Sequence, residues 1–180
     1  GNGWLSQNSS DYNNGTGLYE GTIRLSSTTD LGEWIKLELP FRIYMQFVEV
    51  GGTSNGSVLP RSYKVYGSND DENWYEVLSR TDRPLPSASA HRSEKRITAD
   101  DISKAYKYFA FVVTKTRTDH PWYIQIREMK YFGHKEGDLT RFPEPTRVLK
   151  YPHIAMTGPT QRGYVATASS NSADAYSPWR

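Results

Sequence analysis

The sequence predicts an all-β protein, an antiparallel β-sandwich of the jelly-roll type with about eight strands. Three observations support this prediction. Apolar residues fall in short runs with period-two alternation, turn-forming residues separate the runs, and no segment has the 3.6-residue periodicity of an amphipathic helix. The chain has 180 residues, 13% of them aromatic and none of them cysteine, so it can bury a core without disulfides.

The first predicted strands lie between two polar loops. Residues 22–26 form a short first strand. Residues 33–39 form a stronger one, because apolar and charged side chains alternate there, and Pro40 is expected to end it. Residues 43–50 are apolar on both faces, which predicts a central strand.

A central hairpin is predicted at residues 61–77. A β-prone run is followed by the turn formers of residues 67–71, and a second apolar run starts at Trp74. Asn69, Asp71 and Asn73 imitate the start of a calcium-binding EF-hand loop. A β-turn is favoured, because Trp74 replaces the required glycine and Arg80 replaces the bidentate glutamate.

The second half begins with a short edge strand at residues 94–97 and continues with the strongest strand, residues 106–116, which is aromatic and β-branched nearly throughout. Residues 123–133 form the last strand of the sandwich. Residues 1–134 are thus predicted to be the sandwich and residues 135–162 an extended, proline-rich linker. Residues 163–180 are predicted to hold one extra strand.

Charge and motifs exclude several functions. The net charge is only +2, which gives no electrostatic case for binding nucleic acid, and no apolar run is long enough to insert into a membrane. The four histidines have no zinc-binding spacing, and the chain has no G-x-S-x-G motif and no thiol nucleophile. The sequence therefore predicts a protein that is not an enzyme.

Several sequence blocks, taken in order, resemble discoidin-like domains, also called coagulation-factor C-type domains, of the galactose-binding jelly-roll superfamily. They lie at residues 32–39 (GEWIKLEL), 61–74, 108–113 (YFAFVV) and 124–133 (IQIREMKYFG). Two features depart from the family pattern. The cysteine pair of many extracellular members is absent, and the opening Ala-Ser-Ser strand is missing from the N-terminus, while residues 165–170 (VATASS) are similar to it.

The chain is therefore expected to be one unit of a tandem array, cut from a longer polypeptide. A sandwich without its first strand exposes a sheet edge, and residues 163–170 are expected to fill that edge in the same chain or in a neighbour. The resemblance extends to repeats of viral or bacterial surface proteins, which predicts an extracellular, cell-surface or virion location.

The resemblance implies that loops at one end of the sandwich bind the ligand, here residues 6–21, 51–62 and 115–123. A sugar site needs an aromatic platform and planar polar side chains. The candidates in these loops are Tyr12, Asn14, Tyr19, Arg61, Arg117, Asp119, His120 and Trp122. In the alternative, Trp122 and Tyr123 cap the core and Arg117 pairs with Asp119.

The resemblance also implies a structural calcium ion near the early loop, as in many carbohydrate-binding relatives. Asp11, Asn13 and Thr16 are the candidate ligands. No other cofactor is expected.

The expected function is non-catalytic glycan attachment by a repeat-containing surface or virion protein. The expected partners are glycans and neighbouring copies that dock through residues 135–180. Two alternatives stay open at this point. The chain is a purely structural block of a fibre or capsid, or it is the accessory module of a carbohydrate-active enzyme.

Overall fold

The structure is a computed structural model that describes residues 4–6, 11–51, 59–83, 95–117, 124–138, 149–152, 156 and 158–169. Within these ranges every strand pairs antiparallel and no α-helix occurs, which confirms the predicted fold class. The strands are β1 (Trp4–Leu5), β2 (Glu33–Gly51), β3 (Ser62–Ser68), β4 (Tyr75–Arg80), β5 (Lys95–Thr98), β6 (Tyr106–Lys115), β7 (Gln125–Ile126), β8 (Glu128–Lys135), β9 (Leu149–Tyr151), β10 (Thr160–Gln161) and β11 (Tyr164–Ala168).

Strand β2 belongs to both layers of the sandwich. Its first part pairs with β6 and β11, and its second part pairs with β8 and β5. The register with β6 shifts between Glu38 and Ile43, on either side of Pro40. Pro40 was expected to end a strand. It instead lies where the regular ladder is interrupted, a position that tolerates a residue without an N–H.

Two layers result from this shared strand. One has the order β10-β11-β2-β6-β3-β4, and in the other β5 and β8 flank β2 while β9 pairs with β8; β1 and β7 form a separate pair. Aromatic rings fill the core between the layers. Phe109 of β6 stacks on Tyr131 of β8 at 5.2 Å between centroids, and Tyr63 stacks on Phe111 at 4.8 Å.

A second, smaller core lies on the outer face of the first layer. The segment 22–32 crosses this face, and Leu25 is buried there against Tyr66, Trp74 and Val112. The strand predicted at residues 22–26 is wrong, since only an isolated bridge between Arg24 and Leu31 forms. Leu25 is apolar because it packs against the outer face of the first layer, and not because it belongs to a strand.

The C-terminal hairpin fills the edge of the first layer in the same chain. Residues 165–168 of β11 pair with residues 35–38 of β2, and Tyr164 is 2% exposed in the main core. The turn uses Arg162 and Gly163, both with positive φ, as a two-residue hairpin requires. The region predicted as linker contains β9, which pairs with β8. Residues 170–180 lie outside the described residues.

The turn between β3 and β4 is held by one carboxylate. Asp70 Oδ1 accepts hydrogen bonds from the backbone N–H groups of Glu72 (3.0 Å) and Asn73 (2.8 Å), and Oδ2 accepts from Asn73 Nδ2 at 2.8 Å. These donors, Asn73 above all, hold the pKa of Asp70 well below its usual range. The side chains that imitate an EF-hand loop thus belong to a polar turn, as the sequence predicts.

Replacing Tyr164 by alanine should destabilise the whole sandwich. The change removes a fully buried ring that joins the C-terminal hairpin to the core, so we expect a loss of about 3–5 kcal/mol in the free energy of unfolding. Denaturant titration measures it, with the exposed Thr167→Ala on the same strand as the control. Equal midpoints for the two variants would show that β11 is not part of the folded unit.

The contribution of Asp70 to stability should depend on pH. Its folded-state pKa is lowered, so its contribution is complete above the ordinary aspartate pKa of about 3.9 and is lost as the pH falls through the lowered value. Asp70→Ala should be less stable than the parent at neutral pH, and the gap should close in acid. Urea midpoints at a series of pH values measure this, and a gap independent of pH would contradict it.

Candidate functional site

The described parts of two predicted binding loops, residues 6–21 and 51–62, lie on either side of the start of the third, residues 115–117, where strand β6 ends. On one flank, Tyr19 N–H donates to Thr114 O (3.0 Å) and Thr116 N–H donates to Gly17 O (2.8 Å). On the other flank, Arg61 N–H donates to Lys115 O (2.8 Å). Main-chain hydrogen bonds therefore bring the described parts of all three loops to one end of the sandwich.

The first flank is a small hairpin built by Asn13. Its backbone N–H donates to Leu18 O at 2.8 Å, and its side-chain oxygen accepts from the N–H groups of Gly15 (2.8 Å) and Thr16 (2.9 Å). An Asn-Asn-Gly sequence favours such a side-chain-capped turn. Asn14 and Leu18 are exposed on this hairpin, and Leu18 is an apolar surface residue that the sequence did not single out.

Tyr12 and Tyr19 anchor the hairpin to the core. Their rings meet edge to face with centroids 5.1 Å apart, and both side chains are buried. Burial, with the nearby carboxylate of Glu33, raises the pKa of Tyr12 well above its usual value, and burial raises the pKa of Tyr19 to about 12. The pair was expected to offer a sugar platform, but buried ring faces give it a supporting role.

The candidate calcium ligands do not fit a calcium site in this geometry. The side-chain oxygen of Asn13 already accepts two backbone N–H groups, Thr16 Oγ1 accepts from Leu18 N–H at 3.3 Å, and Asp11 Oδ2 accepts from the Tyr19 hydroxyl at 3.4 Å. Among the described residues, no group of three or more acidic, histidine or cysteine side chains could hold a metal ion. Calcium binding stays a prediction.

The second flank carries a cluster of charges around Asp82. Lys115 Nζ lies 2.7 Å from Asp82 Oδ1, and Arg61 Nη2 lies 3.9 Å from the same oxygen. The lysine hydrogen bond, with the nearby Arg61 charge, lowers the pKa of Asp82. Because Lys115 holds the shared carboxylate at hydrogen-bond distance, Arg61 is left with a longer contact.

The Arg61 side chain has hydrogen-bonding capacity that the described residues do not use. Its Nε is buried and has no acceptor within the described part of the chain, while 29% of its side chain remains exposed. Its backbone is fixed from both sides, by Lys115 O and by Arg83 N–H at 2.9 Å. A rigid main chain therefore presents a guanidinium with spare donors at this end of the sandwich.

The remaining predicted residues divide by position. Arg117 is half-buried just beyond the end of β6, next to both flanks. Asp119, His120 and Trp122 lie outside the described residues. The sequence analysis missed Lys115 and Asp82 as site residues, although hairpin pairing offered a signal: β4 must end beside the start of β3, and hence beside Arg61.

A side chain at position 17 should detach the hairpin from β6. Gly17 has φ +72°, and a Cβ there would lie 2.5 Å from Thr116 O. Gly17→Ala should therefore cost more than about 1 kcal/mol of folding free energy and weaken any ligand binding at this end. Gly15→Ala is the matched control, because its Cβ would meet only Asn13 Oδ1 at 3.4 Å. Thermal melting compares them, and equal melting temperatures would contradict the proposed contact.

Comparison with protein-family models finds no match, and a search of curated proteins finds no relative. Solved structures do show similarity. The module CBM32-1 from a family 31 glycoside hydrolase of Clostridium perfringens is 17% identical, with a TM-score of 0.45, over 70% of this chain and 87% of that chain.

Two further modules are similar to the same extent. CBM32-3 from a family 31 glycoside hydrolase of C. perfringens is 16% identical, with a TM-score of 0.47, over 73% of this chain and 89% of that chain. CBM62 from Clostridium thermocellum Xyl5A is 16% identical, with a TM-score of 0.45, over 75% and 96%. Such modules are discoidin-like jelly-roll domains. The identities are below 25% and the TM-scores below 0.5, so the fold class is established by the antiparallel strand pairing of this chain itself.

Proposed function

We propose that this chain is a non-catalytic saccharide-binding module whose ligand binds at the end of strand β6. The observation that carries the proposal is Arg61, whose backbone is anchored on both sides, whose side chain is 29% exposed, and whose guanidinium makes only the 3.9 Å contact with Asp82 in the described part of the chain. A planar guanidinium can donate to two neighbouring oxygen atoms at once, as adjacent sugar hydroxyls require.

The flanks add the other parts that a sugar site needs. Asn14 supplies an amide, and Leu18 supplies an exposed apolar surface for the less polar side of a ring. Rigid main-chain hydrogen bonds hold both flanks against β6, so little conformational entropy is lost when a ligand binds. The predicted aromatic platform of this site is Trp122.

The charges at this end do not favour glycoside hydrolysis. A hydrolase needs a carboxylic acid with a raised pKa to protonate the leaving oxygen. The pKa of Asp82 is instead lowered, because Lys115 stabilises its ionised form.

The described residues hold no helix that could span a membrane.

The wider role follows from the sequence. As part of a repeat-containing surface or virion protein, the module would attach its parent to glycans outside the cell. The structural alternative, in which residues 135–180 dock onto a neighbour, is less favoured, since β11 fills an edge of its own chain. The accessory-module alternative requires a catalytic domain elsewhere in the parent protein.

Arg61→Ala should abolish or strongly weaken glycan binding without unfolding the protein. Loss of a paired, charge-assisted contact should cost about tenfold to a hundredfold in affinity. A glycan array finds the ligand class, and calorimetry measures the affinity, with and without a calcium chelator. Arg42→Ala is the matched control, since Arg42 is an exposed β2 residue paired at 3.5 Å with Glu136.

The array result decides between the alternatives. Binding that survives in Arg42→Ala and falls in Arg61→Ala supports the proposed site. Equal binding by both variants would place the ligand elsewhere. No binding by a folded, monodisperse parent would shift the weight to the structural alternative, and loss in chelator alone would add a metal.

A further inference from the structure

We infer that the saccharide bound at the end of β6 is anionic and carries carboxylate or sulfate groups. This inference rests on the proposed function and narrows its ligand class. Three basic residues, Arg61, Arg83 and Lys115, lie beside the strand end, and two of them, Lys115 and Arg61, contact the carboxylate of Asp82.

Backbone pairing fixes these basic residues near one another. Arg61 N–H donates to Lys115 O, and Arg83 N–H donates to Arg61 O, so the three residues lie on adjacent segments. The charge of Arg83 is close enough to Tyr63 to counteract the rise in the pKa of that tyrosine caused by burial. Strand pairing therefore holds the backbones of these basic residues next to one another.

Among the described residues, Asp82 is the one carboxylate that contacts this cluster. Lys115 holds it at 2.7 Å and Arg61 lies 3.9 Å from it, so the three basic residues exceed the acidic ones in the described part of the cluster. By contrast, Arg80, at the end of β4, has its own partner, Asp100, at 2.7 Å. The net charge of the whole chain is only +2, so the excess at this end is a local feature rather than a property of the composition.

The acidic groups on the hairpin flank are occupied elsewhere. Glu20 accepts from Asn13 Nδ2 at 2.8 Å, Asp11 accepts from the Tyr19 hydroxyl, and Glu33 is buried beside Tyr12. The two flanks of β6 thus differ in charge, and the basic flank contains Arg61, whose Nε has no acceptor among the described residues. A ligand with an anionic group on this flank would pair with the positive charges that exceed the carboxylates in this described part of the chain.

Matched saccharides test the inference. Calorimetry compares oligogalacturonate with its fully methyl-esterified form, and 6-sulfated galactose with galactose, at low and physiological ionic strength. The acid or sulfated form should bind about tenfold more tightly than its neutral counterpart. The advantage should shrink as salt is added, because exposed charges are screened. The two pairs distinguish carboxylate from sulfate.

Two variants are expected to change the affinity for the anionic saccharide in opposite directions. Asp82→Asn removes the competing carboxylate and should tighten binding of the anionic saccharide several-fold, while Arg83→Gln should weaken it and leave the neutral form nearly unchanged. Lys104→Gln is the charge-matched control, because the exposed Lys104 precedes β6 and lies at the opposite end of that strand, over the Tyr75 ring. Melting curves verify that each variant is folded.

The outcomes separate this inference from the proposed function. Equal affinity for the charged and neutral forms, with loss in Arg61→Ala, overturns the anionic preference and leaves saccharide binding in place. No saccharide binding by the folded parent overturns both. Binding to phosphatidylserine vesicles in place of either saccharide also overturns the inference, since the anion would then come from a lipid.

Discussion

The structure depends on the continuity of strand β2 across both layers of the sandwich. One strand of 19 residues pairs with β6 in one layer and with β8 in the other, so the two layers meet through a covalent backbone as well as through a core. The register shift between Glu38 and Ile43 puts Pro40 where the ladder is interrupted, so its missing N–H removes no ladder hydrogen bond. The position of β6, and with it the candidate site, follows from this register.

The end of β6 shows how a site can be rigid although it is built from loops. The ladder to β2 stops near Glu33, and Gly17 and Tyr19 continue the pairing on that side. A glycine is required because the backbones approach too closely for a Cβ. The buried pair of Tyr12 and Tyr19 then packs the hairpin against the core, and this packing stabilises the first of the predicted binding loops.

Local patterns in the sequence predicted the parts of the fold that are governed by local physics. The β3–β4 hairpin and strand β6 were found because alternation and turn formers lie within a few residues of each other. The bend in β2 and the role of Leu25 were missed, because both depend on which surfaces meet in three dimensions. Arg61 was predicted from the residue type that a sugar site needs and stays a prediction, whereas the burial of Tyr12 and Tyr19 could not be predicted, since composition does not reveal burial.

Strand register also determines the charge distribution at the end of β6. A chain with nearly equal numbers of acids and bases can still present a strong local field if strand register collects one sign at one end. Here Lys115 holds Asp82 at 2.7 Å, which leaves Arg61 3.9 Å from that carboxylate, with a buried Nε that has no acceptor among the described residues. The proposed role of Arg61 in binding rests on this combination of a fixed main chain and an incompletely paired guanidinium.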